Sequence, residues 1–394
     1  MAEEGDGNRG GPLAGIRVVE FVGVGPGPMC GMLLADMGAE VLRIDRLAPS
    51  GLGVEKPTRF DVLNRGKHSA AIDLKSADGV ALAVDLVANA DVLIEGFRPG
   101  TMERIGLGPD VCLARNPRLV YGRVTGWGQT GPLARAAGHD LNYIALSGVL
   151  DCIGRAGAAP TPPLNLVGDF GGGALFLAFG ITCALLEARR SGHGQVVDAA
   201  MIDGSAVLMA PFFGLRQCGL FGGARGENLL DSGAPHYEVY RCADGRFISV
   251  APIEDKFRRV LFDRIGIDAV TFPDLDDPAQ WPRAKALLTD VFATRTRAQW
   301  CELLEGTDAC FAPVLTLDEA LDHPHNHARD TFINVDGIRQ PAPAPRFGRT
   351  KPTLPAPPAE PRARTAAALR HWGLRRDRIE RLADSGVIPT AEIY

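Results

Sequence analysis

This 394-residue sequence is short of several features, and each shortage excludes a class of function. Basic residues are not in surplus. With 42 Lys+Arg against 47 Asp+Glu the formal net charge is -5, which argues against a nucleic-acid binder, because that role calls for a face rich in Lys and Arg. The first fifteen residues, MAEEGDGNRGGPLAG, have no basic-then-apolar pattern, and the AEIY terminus is not an S-K-L signal, so a cytoplasmic protein is expected. The longest apolar run, FGGGALFLAFGITCALL between Asp169 and Glu187, has seventeen uncharged residues. That is short of the roughly 20 needed to span a bilayer, so we expect a buried core helix and no membrane partner. The eight cysteines contain no C-x-x-C pair, as suits reduced thiols without a zinc framework. His323, His325 and His327 alternate beside Pro324; this reads as a solvated turn, and no metal is expected. No internal repeat is evident.

The composition that remains, 46% hydrophobic and 23% charged, is that of a globular protein, and the length favours two domains. Ile16–Phe21 and Glu40–Asp45 read as strands flanking a helix at Met29–Gly38. A second alternation runs through Asp91–Phe97, a helix over Thr101–Arg115, and Leu119–Thr125. A parallel, helix-covered sheet follows, giving an α/β fold. A strand is expected at Gln195–Asp198 and a helix from Ala199 to Leu215. HYEVYRCADGRFISVAPIE then signals a β-hairpin, with helices near Lys256–Ile265, Trp281–Ala293 and Arg297–Leu304. The expected division is residues 1–221 as the first part of a large domain, 222–235 as a Gly-rich linker, 236–320 as a smaller α+β domain, and 321–394 as a return strap with helices docking on the large domain. Eight prolines between Pro341 and Pro361 make the strap extended.

Three places combine a titratable side chain with an unusual backbone setting. GVGPGP after the first strand imitates a dinucleotide fingerprint, but Pro28 stands at the third glycine and Pro26 and Pro28 lack N–H groups for a phosphate. No nicotinamide or flavin cofactor is expected. His139, in GHDLNY, stands at a helix entrance, where the dipole disfavours imidazolium; taken alone it reads as a capping or core histidine. Asp169, in NLVGDFGGG, has the position of an N-cap, yet three glycines after it weaken a helix. They are expected to leave room for a ligand at the backbone. Glu254, in VAPIEDKF, is the third. Together they supply two bases and a carboxylate able to orient an imidazole.

The stretches LADMGAEVLRIDR, DVLIEGFRPGTMERIGLG, TGWGQTGP, AGHDLNYIALSGVL, NLVGDFGGG, GQVVDAAMIDG and RGENLLDSGAPHYEVYRCADG resemble the family III CoA-transferase (CaiB/BaiF) superfamily, and within it the α-methylacyl-CoA racemase branch. The likeness runs in order from about residue 13 to residue 350. It implies a large Rossmann-like domain with a parallel sheet, a smaller α+β domain, and two chains interlocked as a homodimer. It also implies an acyl-CoA thioester as substrate, with CoA as part of the substrate and not a cofactor. By motif position His139 and Asp169 match the acid/base pair and Glu254 the glutamate that orients the histidine. Arg46, Ile72, Asp73, Leu74 and Lys75 match CoA-binding positions, with Arg98 and Arg104 as further candidates. Gly138, His139, Asp140, Leu141, Asn142 and Tyr143 match the thioester-binding loop. The implied reaction inverts C2 of a 2-methyl-branched acyl-CoA by two-base proton transfer through an enolate. APIEDKF and SGAPHY depart from the branch and bring Lys256 and His236 toward the expected site.

Two alternatives stand beside it. A CoA-transferase of the same superfamily would use Asp169 as nucleophile and needs no histidine base. A non-catalytic acyl-CoA-binding homologue would keep the fold without turnover.

Overall fold

The computed structural model describes residues 10–48, 51 and 53–390. They form two compact units. One comprises the residues up to Ser147, Leu164–Leu208, and those from Asp330 onward; the other comprises Gly148–Pro163 and Met209–Arg329. Residues 222–235, expected as a linker, therefore lie inside the second unit.

In the first unit the apolar runs become β1 (Arg17–Phe21), β2 (Glu40–Asp45), β3 (Lys67–Ala71), β4 (Val92–Glu95), β5 (Val120–Thr125) and β6 (Val196–Ala200). They pair in parallel in the order β3-β2-β1-β4-β5-β6. That is the doubly wound order, and the order in which strands are added reverses between β1 and β4, where α/β sheets open a crevice at the carboxyl ends. The helices are α1 (Pro26–Asp36), α2 (Ala77–Ala88), α3 (Thr101–Arg104), α4 (Pro109–Arg115), α5 (Asp140–Leu146), a π-helix (Leu166–Leu175) continuing as α6 (Phe176–Ser191), and α7 (Met201–Leu208).

Alternation along each strand feeds two cores. Val19, Leu42, Leu93 and Tyr121 pack with Leu82 and Leu86 of α2. Val18, Val41, Ile94 and Val120 pack with Leu34 of α1 and with Leu177 and Ile181 of α6. Each such aliphatic side chain contributes about 1.5–3 kcal/mol by leaving water. Beneath α1 lies a charge pair with no solvent access: Lys67 Nζ is 2.7 Å from Glu20 Oε2 and also donates to the Pro28 carbonyl and to Asn64 Oδ1, at 2.9 and 3.1 Å. It ties the start of α1 to the sheet.

Three expectations change. The helix over Thr101–Arg115 is split into α3 and α4, because Gly106 turns to φ 83° and Pro109 starts a new helix. The helix from Ala199 is likewise two helices, α7 and then α8 (Ala210–Gln217) in the second unit, with Pro211 in the latter's first turn. The apolar run is not a core helix on all sides. Its Leu177, Ile181 and Leu185 are buried, while Leu175, Phe179 and Leu186 are 53%, 69% and 65% exposed. With the π-helical turns it extends over 26 residues, Leu166–Ser191, enough by length and composition to cross a membrane.

The second unit continues with β7 (Glu238–Arg241), β8 (Phe247–Val250), α9 (Asp255–Ile265), α10 (Trp281–Phe292), α11 (Arg297–Leu304), β9 (Phe311–Pro313), α12 (Leu317–Asp322) and α13 (Pro324–Ala328). β7, β8 and β9 form an antiparallel sheet over Tyr240, Ile248, Phe292 and Trp300, and the hairpin is where its sequence put it. The chain then returns to the first unit through the hairpin β10 (Phe332–Val335) and β11 (Ile338–Pro341), a strap without regular structure, α14 (Thr365–His371) and α15 (Arg376–Asp384). Ala366, Leu369, Ile379 and Leu382 from these last helices complete the α2 core.

Candidate active site

The site is built where β1, β4 and β5 end. After β1, Gly25 adopts φ 67° and caps α1; a Cβ there would come within 2.9 Å of Asp169 Oδ2. Only glycine lets the loop approach this carboxylate so closely.

After β5, Gly126 lies under the ring of Tyr143, whose Cε1 a Cβ would meet at 2.0 Å. The Tyr143 hydroxyl donates to the Gly138 carbonyl, and Trp127 meets Tyr143 edge-on with centroids 4.8 Å apart. This packing pins the loop to the start of α5. Burial, reinforced by the Asp169 charge, pushes the Tyr143 phenol up to about 12, so it stays a neutral donor.

His139 is the N-cap of α5. Its backbone N–H donates to Asn142 Oδ1 at 3.0 Å, and the residue is exposed. Asp140 is 5% exposed, and its Oδ1 accepts from the Asp169 N–H at 2.6 Å. Asp169 sits in the first turn of the π-helix, a winding often found at functional positions, and its Oδ2 accepts from Asn165 Nδ2 at 3.1 Å. Burial holds the Asp169 carboxyl above the usual carboxylate range, and the Asp140 charge adds to it; the Asn165 hydrogen bond and His139 pull the other way. The imidazole thus acts electrostatically on the carboxylate, although thirty residues separate them in the chain.

The glycines after Asp169 do something other than expected. A Cβ on Gly172 would lie 2.7 Å from the Ser205 backbone and hydroxyl, and one on Gly173 would lie 2.8 Å from Met201 and 3.0 Å from Pro26. Gly204 of α7 faces the Gly172 carbonyl at 2.0 Å by the same measure. These glycines bring the π-helix, α7 and α1 together, so the space their side chains would fill belongs to neighbouring helices and not to a ligand.

The other candidates fall into groups. Arg46 and Arg98 are exposed just after β2 and β4, and the Arg98 charge reaches Tyr143. Arg104 is exposed and donates to Thr101 Oγ1 at 3.1 Å. Ile72 is buried and Leu74 packs against the α2 core. The amides of Ile72, Asp73 and Leu74 donate to Asp45, Val387 and Ile72 carbonyls, so in this stretch Lys75 is the exposed side chain. Leu141 and Asn142 are exposed on α5. Glu254 belongs to the second unit, as the exposed N-cap of α9; the geometry around His139 and Asp169 stands without it. Lys256 is exposed in the same turn. His236 is 3% exposed and pushed down to about 4 by burial and by Arg258; it packs inside the second unit, near Trp281.

Reading the sequence missed Gly25, Gly126, Trp127 and Asn165. Asn165 was within reach, since it precedes Asp169 by four residues, one turn on a helical face.

The pattern of CoA-transferase family III matches residues 13–363. The chain belongs to that family. Alpha-methylacyl-CoA racemase of Mus musculus is 45% identical over 97% of this chain and 98% of its own length. The Homo sapiens alpha-methylacyl-CoA racemase is 43% identical over 97% and 98%. Among solved structures, a CaiB/BaiF family protein from Brucella suis superposes with a TM-score of 0.79 at 26% identity, covering 92% of this family III chain and all of its own.

Proposed function

We propose that this family III chain is an α-methylacyl-CoA racemase that interconverts the two configurations at C2 of a 2-methyl-branched acyl-CoA. The observation that carries the reading is the nearness of His139 to Asp169, with Asp140 bonding the Asp169 amide and His139 acting on its carboxyl, in a chain 45% and 43% identical to two racemases along nearly its whole length. A thioester α-proton is weakly acidic, so its removal needs a placed base on one face and a proton donor on the other. His139 takes the proton from one enantiomer while Asp169 delivers one to the opposite face, and the roles exchange in reverse. Burial fits Asp169 for both roles, since a carboxyl held above its usual range is more readily protonated near neutrality.

In this reading Arg46, Lys75 and Arg98 bind the CoA moiety, and the protein works as a homodimer in which Glu254 of a second copy orients His139. The exposed apolar face at the end of the π-helix and along α6, with Leu175, Phe179 and Leu186, supports such a partner, because contiguous apolar surface marks an interaction site. The cytoplasmic setting we propose is supported by the other face of this helix, where Leu177 and Ile181 pack on the sheet. No cofactor is required.

The test is to incubate one enantiomer of a 2-methylacyl-CoA in heavy water. Inversion accompanied by α-deuterium is expected. CoA transfer to a free acid without α-exchange would instead identify a transferase with Asp169 as nucleophile.

A further inference from the structure

Asp140 follows one proposed base in the chain and bonds the backbone of the other, a contact the proton-transfer scheme does not use. Its carboxylate is 5% exposed. Oδ1 holds the Asp169 amide at 2.6 Å, while Oδ2 is buried with no hydrogen-bond partner among the described residues. The approach is tight: a Cβ on Gly168 would stand 2.5 Å from Oδ1. Burying a carboxylate with one oxygen unpaired is costly, and a neutral acceptor would satisfy the amide as well. The retained charge therefore needs a use, and the Asp169 carboxyl is one group that feels it.

We infer that Asp140 is a positioning residue for Asp169: its side chain fixes the first turn of the π-helix through the Asp169 amide and presses a negative charge against the Asp169 carboxyl. The inference rests on the racemase reading for what Asp169 does, and on the geometry alone for the coupling. π-helical winding strengthens it, because i→i+5 bonding leaves the opening amides without partners inside the helix and Asp140 supplies one. The groups acting on Asp169 are His139 and Asp140 from α5 and Asn165 from the preceding turn, with the Tyr143 hydroxyl also in its field.

The experiment compares Asp140→Ala and Asp140→Asn with wild type. Loss of the anchor in Asp140→Ala is expected to lower kcat for inversion by about 10- to 100-fold, as displaced catalytic groups do, with KM little changed. Asp140→Asn keeps an acceptor for the amide but removes the charge. It should recover most of kcat and carry the test if the alanine variant fails to fold. Removing a negative neighbour lowers the proton affinity of a carboxylate, so in the direction where Asp169 acts as base the acid limb of the Asn variant moves to lower pH. Unchanged kcat in the folded Ala variant, a change confined to KM, or an unmoved acid limb in the Asn variant each overturns the inference.

A second measurement needs no turnover. Unfolding midpoints of Asp140→Asn, Asp169→Asn and the double variant are followed across about pH 4 to 8. Non-additivity that fades as pH falls supports the coupling, and additivity at every pH refutes it. If wild type shows no α-exchange the racemase reading fails, while this cycle still decides whether Asp140 acts on Asp169.

Discussion

His139 and Glu254 both stand at helix entrances, yet the two turns are built differently. The His139 turn is clamped: Tyr143 fills the space over Gly126 and bonds Gly138, Trp127 closes the edge, and Asn142 holds the His139 amide. The Glu254 turn is open, with an exposed carboxylate that makes no side-chain cap on α9. A proton-transfer group must be held within tenths of an ångström of its target, and the clamped turn meets that requirement from its own unit. The open turn presents a charge to be used by whatever surface meets it. In the proposed scheme the comparison ranks the residues: those beside the clamped turn carry the chemistry, and Glu254 refines it.

The strongest way to break that ranking is to remove the bases. His139→Ala and Asp169→Ala are each expected to reduce inversion by about 10²- to 10⁴-fold or more, measured by loss of optical activity of an enantiopure thioester. Next comes the clamp. Gly126→Ala places a methyl against the Tyr143 ring and is expected to destabilise the fold by about 1–3 kcal/mol, as overpacking does; chemical denaturation measures this. Activity should fall with the intact turn, whereas the same change at Gly266, φ 75° in open space beyond α9, should leave kcat unaltered. Glu254→Gln should lower kcat by about tenfold or less, since it removes orientation and not a proton carrier.

The smallest effect concerns stability. Because the Asp169 carboxyl is held above its ordinary range in the fold, the protonated form favours the native state. That contribution is complete below the unfolded-state value and is lost as pH rises through the folded one. Asp169→Asn escapes the loss, so its thermal midpoint should exceed that of wild type at neutral pH, with the difference closing in acid.

Much of this was legible in the residues. Strands such as Glu40–Asp45 and Val120–Thr125 are β-branched runs bounded by turns, and periodicity finds them. Lys67–Ala71, KHSAA, is a buried strand without that look, because its lysine spends its charge on Glu20 and its alanines pack beneath helices; such a strand is visible only through partners distant in sequence. The same limit explains the glycines after Asp169. Their purpose is Ser205 and Met201 on α7, which no local pattern reveals. His139 and Asp169 were found because each stands at a helix start beside glycine, while Gly25 and Trp127 are ordinary until the fold surrounds them.

The most direct test follows α-proton exchange in heavy water for each enantiomer separately, using wild type, His139→Ala and Asp169→Ala. The two-base account predicts exchange of both enantiomers by wild type, of only one by His139→Ala, and of only the other by Asp169→Ala. Racemisation by Asp169→Ala at the wild-type rate, or wild-type protein that exchanges neither enantiomer, would contradict it.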